Sequence, residues 1–186
     1  MEIAYARLNH SNFTAHSLDT FVRHQVVTRC WRKAEGNWRL VPISLVEDWS
    51  PETCREIAAD VAAHMEKDQT AIGAFAGDTL VGFITLSHTL FGTGAKYAEL
   101  VCFQVSEPYR GRGIGKALFR RICGEARRIG AEKLYISAHS AMETQAAYRA
   151  LGCVPTGEIN WDIAREEPFD VQLEHTLTPV EPPATA

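Results

Sequence analysis

Apolar residues recur at helical spacing at Cys54, Ile57, Ala58, Val61 and Met65, just after Ser50 and Pro51, a pair suited to capping and opening a helix. The spacing predicts a helix over about 51–67. Thr70 to Ala76 and Thr79 to Ser87 are apolar, strand-prone runs with Gly77-Asp78 between them, the composition of a tight hairpin turn. Tyr97 to Val105 has the make-up of an interior strand. A second amphipathic stripe, Ile114, Leu118, Ile122 and Ala126, ends near Ile129-Gly130. Lys133 to Ala138 then reads as a strand, Met142 to Leu151 as a short helix stopped by Gly152, and Val171 to Leu177 as a closing strand. In the first fifty residues, Val26 to Lys33 and Trp38 to Ile43 read as paired strands joined around Glu35-Gly36-Asn37. Strands and helices mixed in this order predict an α/β or α+β sandwich around one sheet.

The expected organisation is an N-terminal extension over 1–49, packed on a main domain over 50–177, and a disordered proline-containing tail over 178–186. The extension could roof a pocket or support a homodimer, but core packing is the plainer use of its three tryptophans.

Composition narrows the classes. The chain has 186 residues, 46% hydrophobic and 23% charged, which fits a globular domain able to bury its own core. A formal charge of -4 has the wrong sign for a general nucleic-acid or anionic-membrane binder, so any phosphate affinity must be local. Five widely spaced cysteines without a Cys-x-x-Cys pair read as buried free thiols of a cytoplasmic protein. Neither a secretory signal pattern nor an apolar run of membrane-spanning length is present, and the histidines form no metal-ligand pattern, so neither membrane nor metal is expected.

The local phosphate site is Pro108-Tyr109-Arg110-Gly111-Arg112-Gly113-Ile114-Gly115, placed between a strand and a helix. The first amides of a helix lack intrahelical partners and sit at the positive end of its dipole, and glycines let that main chain approach a ligand closely. From Pro108 to Arg128 there are seven Lys or Arg and one acid, Glu125. Arg112, Lys116 and Arg120 line one helix face, a pattern that a solvated surface also produces. Lys116 stands where a dinucleotide fingerprint needs its last glycine, and Arg110 and Ala117 depart from a nucleotide-triphosphate loop.

Arg110-x-x-Gly113-x-Gly115, preceded by Phe103-x-Val105 and Pro108-Tyr109, resembles the coenzyme A signature of the GNAT superfamily of acetyl-CoA-dependent N-acyltransferases. The element order from Ser50 to Leu177 is similar as well, including a short helix that carries Tyr148. The resemblance implies a mixed, largely antiparallel sheet that splays beside the Tyr97 to Val105 strand. It implies that the main chain of Phe103, Gln104 and Val105 binds the pantetheine arm of acetyl-CoA, while Arg110, Gly111, Arg112, Gly113, Ile114, Gly115 and Lys116 hold the pyrophosphate. Family members commonly place an asparagine seven residues before the tyrosine; this chain has Ala141 there, so neighbouring Ser140 becomes the candidate for that pantetheine contact.

By the same resemblance, Tyr148 is the candidate acid for the departing thiolate, with core packing as the bland alternative. Glu99 is the candidate base, because strict strand alternation puts it on one face with Val101, Phe103 and Val105, where burial would raise its pKa. An acid satisfied by a neighbouring strand is the alternative. His139 and Glu143, after the next strand, are further polar candidates for contact with pantetheine or acceptor. The expected activity is direct acetyl transfer to an amine of a small molecule or peptide. A non-catalytic acetyl-CoA sensor, an acyltransferase with another acyl chain or acceptor, and a nucleotide switch are the rivals.

Overall fold

The structure, a computed structural model, describes residues 2–178. Ser50 caps α1 (Pro51–His64) by accepting from the Thr53 amide, and Cys54, Ala58 and Val61 bury its apolar stripe. The chain then runs through β4 (Gln69–Ala76), β5 (Thr79–Phe91) and β6 (Tyr97–Val105) as an antiparallel meander, with Gly77-Asp78 forming the two-residue turn. Next come α2 (Ile114–Arg128), β7 (Lys133–Ala138), α3 (Met142–Ala150), β8 (Val154–Pro155), α4 (Trp161–Glu166) and β9 (Val171–Thr176). Ahead of α1 lie β1 (Ala4–Arg7), β2 (His24–Ala34) and β3 (Asn37–Asp48).

Among the described residues the main sheet has seven strands in the order β1-β4-β5-β6-β7-β9-β8, and β2 and β3 form a separate hairpin. The sheet is antiparallel except where β6 meets β7. One face packs on α2 through Val81, Ile84, Leu100, Leu118, Ile122 and Leu134; the other packs on α1 through Ala58, Val61, Met65 and Phe83. The mixed, largely antiparallel architecture flanked by helices is thus present.

The first 49 residues are not a separate unit. β1 is an edge strand of the main sheet, paired with β4 from Ala4↔Phe75 to Arg7↔Ile72. The hairpin turn at Glu35 and Gly36 has positive φ at both residues, matching the twist of the flanking strands. Its body docks on the β7–α3 turn, where the Trp31 amide donates to the Ser140 carbonyl at 2.8 Å and Val27, Cys30 and Ala141 form a small core. Of the expected tail, 179–186 lie outside the described residues, while the Thr178 carbonyl accepts from Arg127 Nε.

Two features of β6 shape the site. It pairs with β7 only from Tyr97↔Lys133 to Glu99↔Tyr135, so the two strands part beyond Glu99. Against β5, Thr85 pairs with Cys102 and Leu86 with Leu100, leaving Val101 as an extra residue in a bulge. The bulge shifts the alternation by one. Ala98 and Leu100 share the α2 face with Phe103 and Val105, whereas Cys102 packs toward α1. Glu99 therefore does not share a face with Phe103 and Val105, as unbroken alternation would have it.

Candidate active site

The parting of β6 and β7 opens a cleft of about 880 Å³, walled by Leu100 to Val105 on one side and by Ser137, Ala138 and His139 on the other. Its two ends are built differently. At one end lies the glycine loop. Gly111 and Gly113 adopt φ of +74° and +79°, and Gly113 begins α2 with no side-chain cap. The free first-turn amides of α2 are therefore not covered by the chain's own polar groups. A Cβ on Gly115 would lie 3.3 Å from the Phe103 ring, so glycine lets α2 start close against β6. Gly111, Gly113, Ile114, Gly115 and Lys116 all line the cleft, with Lys116 exposed.

The side chains of the loop's two arginines are engaged within the chain itself, although Arg110 also lines the cleft. Arg110 donates from Nε to the Val105 carbonyl at 3.0 Å and from Nη1 to the His24 carbonyl at 2.7 Å, tying the start of the β2–β3 hairpin to the end of β6. Burial pulls its pKa down. Arg112 stacks on the Tyr109 ring at 5.5 Å and is not among the lining residues. Ser140, the expected substitute for an asparagine contact, is buried; its hydroxyl accepts from Arg32, and it does not line the cleft.

Phe103, Gln104, Val105 and Tyr148 come together at the middle of the cleft. Tyr148 packs edge-on against Phe103 at 6.2 Å. Burial, with Cys153, Cys102 and Asp170 nearby, pushes its phenol well above the usual tyrosine range, so it carries its proton at neutral pH. Burial likewise pushes the Cys102 thiol up to about 12. Glu99 is raised by burial and by Glu166, but it does not line the cleft.

The other end is made of side chains from several elements, most of which carry no local sequence signal. Arg23, only 10% exposed, donates from Nη2 to Glu47 Oε2 at 2.7 Å; among the described residues its Nε and Nη1 have no partner. His139 Nδ1 accepts from the Ala141 amide, so its proton sits on Nε2, which faces Glu47 Oε1 at 3.2 Å. Asp170, just before β9, lines the cleft with Glu143, and sequence reasoning missed it. Burial raises its carboxyl to about 6, with Glu167 and Glu47 adding to the rise and His139 and Ser137 opposing it. Arg32 of β2 stacks on the adjacent Phe169 at 4.9 Å, so the hairpin also steadies this corner.

Several known proteins are similar to this chain in sequence or in fold. A sequence model of the acetyltransferase (GNAT) family matches residues 28–153. A mycothiol acetyltransferase of Corynebacterium glutamicum (strain R) is 32% identical over 125 residues, covering 64% of this chain. The match spans only 41% of that relative's own length. Among solved structures, nourseothricin acetyltransferase superposes with a TM-score of 0.70 at 18% identity, covering 96% of this chain and all (100%) of that one. A putative streptothricin acetyltransferase from Bacillus anthracis str. Ames, in complex with acetyl coenzyme A, gives 0.65 at 14% identity, covering 94% and 96%. With the parted strands, the glycine loop and these likenesses in agreement, the chain belongs to the GNAT acetyltransferase family.

Proposed function

We propose that this protein binds acetyl-CoA in the cleft and transfers the acetyl group directly to a primary amine of a small molecule or peptide bound beside it. One observation carries the reading: the unpaired edge of β6 and the uncapped start of α2 open into the same cleft. The edge from Val101 to Val105 suits an extended pantetheine arm laid down like an added strand. The amides from Gly111 to Lys116, with the Lys116 ammonium, suit a pyrophosphate. Arg110 serves here through its backbone position and as a brace, Arg112 by stacking on Tyr109, and Ser140 as part of the turn that holds the hairpin.

The amine nitrogen attacks the thioester carbonyl carbon while both reactants are held together, and backbone donors along β6 steady the oxyanion. Tyr148, kept protonated by its burial, supplies a proton to the departing thiolate. A covalent acetyl-enzyme is not needed. Cys102 lines the cleft but packs its side chain toward α1, and its thiol stays protonated at neutral pH, a poor nucleophile. The five free cysteines suit a reducing cytoplasm as the place of work. No helix among the described residues is long and apolar enough to cross a membrane.

Isothermal titration of the full chain with coenzyme A comes first, followed by thiol release from acetyl-CoA across an amine panel. The relatives' names make nourseothricin and streptothricin first members of that panel, with polyamines, aminoglycosides, amino acids and peptide N-termini. Micromolar coenzyme A binding with amine-dependent thiol release is expected. Binding without turnover on any amine leaves a coenzyme A sensor, and failure to bind removes the reading altogether.

A further inference from the structure

The carboxylates at the acceptor end of the cleft are not equivalent. Glu47 is already satisfied, holding Arg23 on one oxygen and facing His139 Nε2 with the other. Glu143 is exposed on the first turn of α3. Asp170 is different: it is half-buried, lines the cleft, and forms no ion pair among the described residues. Among the described residues its one hydrogen-bond donor is Ser137 Oγ, at a long 3.4 Å. Partial burial without a paired cation makes a carboxylate harder to keep ionised, and an arriving ammonium relieves that cost.

Asp170 is also held in place by a directional chain of hydrogen bonds. The Asn160 amide donates to Tyr135 Oη, which donates to Gln172 Oε1 at 2.8 Å. Gln172 Nε2 in turn donates to Ser137 Oγ at 2.9 Å, which leaves the serine proton for Asp170 Oδ2. Ser137 and Gln172 are direct partners in the β7–β9 ladder, so the sheet itself sets this chain. The chain presents Asp170 with a donor, which orients the carboxylate and opposes the upward shift that burial causes.

We propose that Asp170 receives the acceptor's ammonium group and takes its proton, so that the protein acts on amines that arrive charged. The inference rests on the transferase reading above. The nitrogen loses two protons. Asp170 removes the first and passes it to solvent, freeing the lone pair that forms the C–N bond at the thioester carbonyl. The C–S bond then breaks, Tyr148 protonates the thiolate, and the phenol is restored by the second proton lost from nitrogen. The charged and titratable groups facing Asp170 are His139 beyond β7, Glu167 after α4, Glu47 of β3 and Tyr148 of α3.

The test is the pH dependence of kcat/KM from pH 5 to 9 for the full chain, with spermidine, nourseothricin and lysine as acceptors. An acid limb with a midpoint near 6 is expected in the natural chain. Asp170→Asn should lose about 100-fold or more in kcat and abolish the limb, with coenzyme A affinity held within about twofold. Asp170→Glu should recover part of the rate. Ser137→Ala, which removes the one donor, should move the limb upward. Retention of the limb by Asp170→Asn overturns the proposal, as does its loss in Glu99→Gln instead, or a parallel collapse of coenzyme A binding in the Asp170 variants. A natural chain that releases no thiol with any amine overturns the transferase reading and this proposal together, whereas an active chain with an unmoved limb overturns the role of Asp170 alone.

Discussion

The two ends of the cleft are made from different materials. The glycine-loop end is built from main chain, a run of amides from Gly111 to Lys116 between one strand and one helix. The other end, where we propose that the acceptor binds, is built from side chains, Arg23, Glu47, His139 and Asp170, delivered by four stretches of chain far apart in sequence. A backbone site tolerates change in most side chains and fails when its conformation is lost. A side-chain site keeps its backbone and fails at single groups. The two ends should therefore answer mutation in opposite ways.

Gly113→Val is the hardest blow to the first end. A β-branched residue at φ +79° is strained, and relieving that strain turns the first amides of α2. Coenzyme A affinity should fall about 100-fold by titration calorimetry; an unchanged affinity would mean that these amides are not the anchor. Tyr148→Phe, in the middle, should cost about tenfold to 100-fold in kcat and leave coenzyme A binding within about twofold.

At the acceptor end, Asp170→Asn also carries a stability signature. The folded-state pKa of Asp170 is raised to about 6 from 3.8, so its folding contribution is best below the lower value and worsens as pH rises through the higher one. Asparagine removes that loss. Relative to the natural chain, the variant should gain about 1 kcal/mol at pH 8 over pH 4 in urea unfolding, and a constant difference would show that Asp170 is not desolvated. Arg112→Ala should do least. Its guanidinium stacks on Tyr109 and does not itself line the cleft, so coenzyme A affinity should change less than about threefold, and a large loss would move Arg112 into the phosphate site.

The same contrast decides what could be read from the sequence. Elements with their own periodicity were legible: β6 and β7 lie at the residues expected, α1 starts where Ser50 and Pro51 place it, and α2 and α3 start at Ile114 and Met142 as expected. The glycine loop was legible because phosphate chemistry is written in consecutive residues. The bulge at Val101 was not, since a single extra residue leaves no compositional mark, and it undid the expectation that Glu99 faces the same way as Phe103. β1, β8 and α4 are too short for a periodic signal. Asp170 follows no motif; its position comes from the pairing of Ser137 with Gln172, a long-range fact that no local window contains.

The three-residue pairing between β6 and β7 reaches beyond chemistry. Past Glu99 the edge of β6 pairs with no residue of β7, so the two parts of the sheet are joined there by three residue pairs. A molecule that fills the gap finishes the secondary structure, so the loaded form should exchange its amide hydrogens more slowly and resist proteases longer.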